Sequence, residues 1–268
     1  MDGTLFLDHG KTLLDLSAVN EEAMAEMKGQ IDLYVASGRM IPYGVKVLEK
    51  YGFEDIIVGG LNGAVVYDNG SLHVQAITAD MVLKACDLAD KEFCFANWFL
   101  QTAQDKRIFN IVDEKSTHRF RAEMQELGIG EVPYYSIREF IEHMDGDEPV
   151  KMTFPTGDVD TAHKLMRRLQ EELGDINVTL SSKDVVEFGN AAATKGTFVA
   201  YIREVKGYGK DEVAVIGDAL NDAPLFDEAD HTFAIRSGSD DLKKMAAHVV
   251  DDVASCIRWC MEYNQGER

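Results

Sequence analysis

Along the chain, short apolar runs rich in β-branched residues alternate with stretches in which apolar side chains recur every three or four positions. The clearest run is Val213-Ala-Val-Ile216, stopped by Gly217 and followed at once by Asp218, Asn221 and Asp222. A run of this kind predicts a strand buried on both faces of a parallel sheet. Ile31-Asp-Leu-Tyr-Val-Ala36, Ile56-Ile-Val58 and Thr232-Phe-Ala-Ile235 predict three more strands. A helix is predicted from Ser17, its N-cap, to Gly29, with Val19, Ala23 and Met27 on its apolar side. Further helices are predicted over 40–50, 197–205, 240–247 and 252–262. Asp68-Asn69-Gly70, between Ala64–Tyr67 and Leu72–Gln75, predicts a hairpin, because Asn and Gly tolerate positive φ. Strands alternating with helices predict an α/β fold around a parallel sheet.

The middle of the chain has a different rhythm. From about Ala79 to Ser182 the pattern predicts helix 79–91, strands 93–99 and 107–112, helices 116–127 and 136–142, strand 150–154, helix 158–173 and strand 176–180. This α+β stretch reads as a second domain, 79–183, inserted into a core made of 1–78 and 184–268. Strand Asp184-Val-Val-Glu-Phe188 reads as the return to that core. Trp98, Tyr134, Tyr135 and His143 are candidate substrate contacts, against the plainer reading of core or interface side chains.

Length and composition fit a two-domain globular chain: 268 residues, 46% of them apolar. The net charge of −20 argues against nucleic acid and against an anionic membrane face as partners. It also means that a phosphate-bearing ligand needs local positive help. No apolar run approaches the roughly 20 residues of a membrane span, and no leader is recognisable at the start. The four cysteines, Cys86, Cys94, Cys256 and Cys260, form no C-x-x-C pair; Cys256 and Cys260, one helical turn apart on an apolar stretch, read as buried free thiols rather than metal ligands. The expectation is a cytoplasmic protein.

Candidate chemistry gathers where ligands of open α/β sheets sit, at the carboxyl ends of strands. Ser37-Gly38-Arg39 offers a hydroxyl donor, close backbone approach and a guanidinium, a set suited to an anion; a plain β–α turn is the other reading. Asn62 could reach a ligand from its turn or simply make the turn. Lys195 stands in the first turn of a predicted helix, where it opposes the dipole unless an anion compensates it. Asp218 and Asp222 suit a hard divalent cation, which takes oxygen ligands, or else cap the helix that follows.

Taken in order, Asp2-Gly3-Thr4, Ser37-Gly38-Arg39, Lys195-Gly196 and Gly217-Asp218-Ala-Leu-Asn221-Asp222 resemble the four motifs of the haloacid dehalogenase (HAD) superfamily. The insert between the second and third resembles the cap of its Cof-type, class IIB phosphatases. Asn62-Gly63-Ala64 with Tyr67-Asp68, Lys151, and Thr194-Lys195-Gly196 also look like that branch. The resemblance implies a Rossmann-like core with a parallel sheet plus an inserted α+β cap. It implies Mg²⁺-dependent hydrolysis of a small phosphate monoester, a sugar phosphate or cofactor phosphate, through an aspartyl-phosphate. Carried over, Asp2 is general acid and base, with its backbone carbonyl on Mg²⁺. Thr4 closes the loop, Ser37 donates to phosphate beside Gly38 and Arg39, and Lys195 holds nucleophile and phosphoryl group together. Asp218 and Asp222 hold the metal directly or through water, and Asn221 supports their loop.

Family members open with Asp-x-Asp-Gly-Thr, and here that register puts the nucleophilic Asp one residue before Met1. Its strand, which lies mid-sheet in this fold, would be absent with it. The expectation is of a start assigned inside the motif, leaving inner strand edges unpaired and prone to association. Asp8 is the internal alternative nucleophile. A HAD-like protein that grips phosphorylated ligands without turnover is the alternative function, and a phosphotransferase on the same scaffold a third.

Overall fold

The computed structural model describes residues 4–5, 15–93, 98–104, 107–110 and 136–266. They form two compact units, Met1–Ser71 with Thr194–Arg268, and Leu72–Ala193. Elements are numbered along the whole chain.

The first unit begins with helix α1 (Ala18–Glu26), capped by Ser17, whose hydroxyl accepts from the Asn20 amide at 3.2 Å. Strand β1 (Val35–Ala36), helix α2 (Ile41–Lys50), and strands β2 (Ile57–Gly60) and β3 (Val65–Asp68) follow. β1 runs parallel to β2, and β2 antiparallel to β3. The predicted strand 31–36 is much shortened, because only Val35 and Ala36 find ladder partners, in Val58 and Gly59. Asn69 and Gly70 take the positive φ expected of the hairpin turn, and β4 (Ser71–Val74) carries the chain across the unit boundary.

The unit resumes with helix α6 (Lys195–Lys206), strand β10 (Ala214–Gly217), the short helix α7 (Ala223–Phe226) and strand β11 (His231–Ile235). Helix α8 (Asp240–Met245), strand β12 (His248–Val250) and helix α9 (Val253–Asn264) complete it. β10, β11 and β12 form a parallel sheet in that order. β12 was not anticipated; Val249 and Val250 are its only sequence cue. Phe198, Val199 and Ile202 of α6 pack against Ile57, Val66, Val215 and Leu225, so one helix fills the core beneath strands of both sheets. The buried amide of Asn20 joins three segments, donating to the Leu5 carbonyl and accepting from the Ala254 amide.

The second unit is an antiparallel sheet covered by helices on one face. Its strands, β5 (Trp98–Thr102), β6 (Arg107–Asn110), β7 (Pro149–Pro155), β8 (Ile176–Ser182) and β9 (Val185–Asn190), are ordered β6-β5-β7-β9-β8. Helices α3 (Ala79–Leu88), α4 (Ile137–Glu142) and α5 (Val159–Leu173) supply Val82, Phe140, Leu165 and Leu169 to a core with Leu100, Met152, Phe154, Val186 and Phe188. This is the α+β layer expected of the insert. The sequence placed 184–193 with the first unit, but β9 pairs with β7 and β8 and belongs to this sheet. Strands of alternating character at a domain boundary carry no sign of which sheet they join. Predicted helix 116–127 lies outside the described residues.

Gly63 marks the tightest backbone approach in the first unit. At φ +91° it faces Thr194 so closely that a Cβ would stand 2.0 Å from the Thr194 carbonyl oxygen. Gly207, at φ +77°, has open space around it. Gly207→Ala should therefore cost only the left-handed penalty of about 1–2 kcal/mol. Gly63→Ala should cost clearly more. Urea unfolding of the two variants tests this, and equal losses would show that the approach to Thr194 is not limiting.

Candidate active site

β10 ends at Gly217, and the backbone then turns around the carboxylate of Asp222. Asp222 Oδ2 accepts from the amides of Asp218 at 2.9 Å and Ala219 at 3.2 Å. Gly217 is needed for this wrap: a Cβ there would lie 2.4 Å from that of Asp222. Asp222 Oδ1 takes the Lys195 ammonium at 2.5 Å, and the two side chains are only 5% exposed each. Lys195 sits where the sequence made it conspicuous, first in α6 behind the N-cap Thr194. The anion it requires is Asp222, 27 residues on. Gly196 lets α6 press on the next turn, since a Cβ would meet the Pro224 carbonyl oxygen at 2.3 Å.

Asp218 is the carboxylate left facing the site. Its backbone carbonyl accepts from the Ser239 amide at 2.7 Å, and its side chain accepts from the hydroxyl of Thr4. Burial pushes the Asp218 carboxyl above its ordinary pKa, and the charge of Asp222 adds to this against the pull of Thr4. Burial also works against the charged form of Asp222, but the adjacent Lys195 outweighs it and holds that carboxyl below the ordinary range. The two carboxylates are thus unlike: Asp222 is neutralised by Lys195, whereas the Asp218 side chain is hydrogen-bonded, among the described residues, by the Thr4 hydroxyl.

The end of β1 joins the same cluster. Ser37 is buried, and its hydroxyl accepts from the Arg39 amide at 3.0 Å, leaving its proton available to a ligand. The Ser37 carbonyl accepts from the Asn62 amide at 2.8 Å. Asn62 is left-handed (φ 60°), and its side-chain oxygen accepts from Asn221 at 3.2 Å. Asn62 is therefore a turn residue, the plainer of its two sequence readings, and its side chain also bridges to Asn221. The Gly38 backbone passes so near that a Cβ would lie 3.0 Å from the Asn62 oxygen. Arg39 stacks its guanidinium over Tyr43, 4.6 Å from the ring centre.

Thr4, Ser37, Asn62, Lys195, Asp218, Asn221 and Asp222 are thus brought together at the carboxyl ends of β1 and β10. Asp2 and Asp8 lie outside the described residues, as do Tyr134 and Tyr135. Trp98 is buried in the second unit's core, and His143 is exposed, with its ring on the Glu139 carbonyl at 2.8 Å. Lys151, on the sheet face opposite that core, pairs with Glu187 at 3.2 Å. Among the described residues no group of three or more His, Cys, Asp or Glu is placed to hold a metal ion. Asp222 uses both oxygens on protein partners, so direct metal ligation by it would require new geometry. Asp218 keeps an oxygen free of Thr4, and a single carboxylate supplemented by substrate oxygens is within what Mg²⁺ accepts.

Parallel strands whose carboxyl ends gather carboxylates, a lysine and hydroxyl and amide donors define an α/β enzyme of anionic substrates. Comparison with known proteins makes the class specific. The family model for haloacid dehalogenase-like hydrolases matches residues 1–255, and the chain belongs to that family. It is 22% identical over 265 residues to 5-amino-6-(5-phospho-D-ribitylamino)uracil phosphatase YcsE of Bacillus subtilis (strain 168), covering 96% of this chain and 92% of that protein. A putative phosphatase of Mycoplasma pneumoniae is 31% identical over 85 residues, covering 32% of this chain and 29% of that protein. In fold it resembles the structure of a haloacid dehalogenase-like hydrolase from B. subtilis, with a TM-score of 0.77 at 20% identity over 91% of this chain and 93% of that one.

The Lys195–Asp222 pair yields a stability test. Removing one partner of a buried ion pair strands the other charge and costs about 3–5 kcal/mol. Lys195→Met and Asp222→Asn should each lower stability by that order in urea unfolding. The double variant should lose less than the sum of the two. Strictly additive losses would mean that the two charges do not depend on each other.

Proposed function

We propose that this protein is a Mg²⁺-dependent phosphatase that hydrolyses a small phosphate monoester through an aspartyl-phosphate. The observation carrying the reading is the gathering of Ser37, Lys195 and Asp218 at the carboxyl ends of β1 and β10, tied by Asn62, Asn221 and Asp222. Phosphoryl transfer asks a protein mainly for positioning and for neutralisation of the charge on the transferred group. Ser37 would donate to a phosphoryl oxygen and orient it. Lys195, held in place by Asp222, would lend positive charge beside the attacking carboxylate. Asp218 would hold Mg²⁺, together with the Asp2 carbonyl. Bound Mg²⁺ would supply charge neutralisation at the phosphoryl oxygens.

By the motif register, the attacking carboxylate belongs to an aspartate directly ahead of Met1. Its oxygen bonds to phosphorus as the ester P–O bond breaks, and the leaving alkoxide takes a proton from Asp2. Water then attacks the aspartyl-phosphate, giving its proton to Asp2, and inorganic phosphate leaves. A relative that acts on a phosphorylated ribitylamino compound favours a polyhydroxylated monoester as substrate. The free thiols Cys86, Cys256 and Cys260 suit a reducing, cytoplasmic setting. No helix among the described residues is long and apolar enough to cross a membrane.

The test uses the chain joined to an aspartate ahead of Met1, assayed with p-nitrophenyl phosphate and a panel of sugar phosphates. Hydrolysis should need Mg²⁺ and stop with EDTA. Asp218→Asn should reduce kcat by roughly 10²–10³-fold. Tight binding of phosphate esters without turnover would overturn the reading in favour of a non-catalytic binding protein.

A further inference from the structure

The chain passes from the second unit back to the first between Ala193 and Thr194. Thr194 is the N-cap of α6, its hydroxyl accepting from the Thr197 amide at 3.0 Å, and Lys195 follows it directly. The four residues that lead into this crossing are tied down on the second unit's side by two asparagines. The Asn190 carbonyl accepts from the Ala193 amide at 2.9 Å, and its side-chain oxygen accepts from the Ala192 amide at 2.9 Å, which closes 190–193 into a tight turn. The Asn190 side-chain amide donates to the Ala76 carbonyl at 2.7 Å, so the outgoing connection is bound to the incoming one. Ala76 is itself held in place, because the adjoining Ile77 is buried in the second unit's core and its amide donates to the Pro149 carbonyl at 2.9 Å.

Asn177 of β8 supplies the last tie, donating from its side chain to the Ala193 carbonyl at 2.5 Å. It reaches that far because its neighbour across the ladder is Gly189. The turn folds back over that bare position, where a Cβ would lie 3.9 Å from the Cβ of Ala193. A peptide group is planar, so the carbonyl that Asn177 holds belongs to the same rigid group as the Thr194 amide. Fixing that plane fixes the direction in which the chain enters α6. On the far side, the Thr194 carbonyl is confined by the Gly63 backbone and the Lys195 ammonium by Asp222. No free residue separates the two sets of contacts, so a tilt of the 193–194 peptide must be taken up at Thr194 and Lys195.

We infer that Asn177 and Asn190 are positioning residues: by holding the turn 190–193 on the sheet of the second unit, they set the placement of the Lys195 ammonium against Asp222. This deepens the phosphatase reading and rests on it only for the consequence in turnover.

The test compares the parent chain with Asn177→Ala, Asn190→Ala and Val82→Ala, the last weakening the second unit's core away from the turn. Acylation of Lys195 by acetic anhydride is followed by mass spectrometry on the folded proteins, and urea unfolding gives the stability of each. Loss of one hydrogen bond should speed Lys195 acylation roughly fivefold in each asparagine variant, whereas Val82→Ala should leave it at the parent rate. Unchanged acylation in the asparagine variants, or an equal rise in Val82→Ala, would overturn the inference, since stability alone would then account for the effect. Hydrolysis of p-nitrophenyl phosphate is read separately, in versions of all four joined to an aspartate ahead of Met1; kcat should fall in the asparagine variants while KM holds. Faster acylation with no hydrolysis by any version would leave the positioning role standing and sink the phosphatase reading. Hydrolysis by the parent with unchanged acylation in the variants would do the reverse.

Discussion

The arrangement of the first unit turns on one buried ion pair. Lys195 begins α6, where the helix dipole repels a cation, and Asp222 lies where β10 gives way to α7, with almost no water to share its charge. Each is costly alone, and each removes the other's cost. The pair also reaches further than its two residues. The second oxygen of Asp222 gathers the amides of Asp218 and Ala219, which sets the direction in which the Asp218 carboxylate leaves the loop. A helix start and a strand end far apart in sequence are thereby held in one geometry.

The glycines around this pair follow from it. Gly217 must lack a Cβ because Asp222 folds back on the loop, Gly196 because α6 presses against the Pro224 carbonyl, and Gly63 because it faces Thr194, the cap of the same helix. Backbone therefore approaches backbone on several sides of Lys195, which leaves the lysine little freedom. For a lysine proposed to lend charge to a phosphoryl group, such confinement is the useful property, because a misplacement of about an ångström is costly. The second unit carries its own core of aromatic and aliphatic side chains.

How much of this was legible in the sequence varied with the range of the interaction involved. Helix starts at Ser17 and Asp158, the hairpin at Asn69-Gly70 and the strand before Gly217 depend on neighbours in the chain, and the structure has them, although of Val213–Ile216 only Val215 is buried. The family was legible too, since its motifs lie in order at strand ends. Lys195 could be marked as misplaced, but not matched with Asp222, because a charge imbalance at a helix start does not say where the compensating group comes from. Asn62 showed its turn and hid its link to Asn221. The shortened β1, the membership of β9 and the existence of β12 were illegible because strand length and partnership are set by the neighbouring strand, which a single run does not name.

The contrast between the two carboxylates decides what the site can hold. Asp222 is spent on Lys195 and two amides, so the lysine's charge is already matched before any ligand arrives. Asp218, half-buried and bonded at its side chain by the Thr4 hydroxyl among the described residues, adds a further negative charge within a protein of net charge −20. A phosphate dianion brought to such a place would meet net repulsion from its surroundings. Either the approach of the ligand frees Lys195 from Asp222, which the burial of that pair resists, or a cation accompanies the ligand and is shared with Asp218. The second course costs less, because it relieves the buried Asp218 carboxylate and the phosphate together while leaving the ion pair that fixes the loop intact. The metal dependence proposed for this protein rests on this contrast between Asp222, paired with Lys195, and Asp218, bonded among the described residues by the Thr4 hydroxyl.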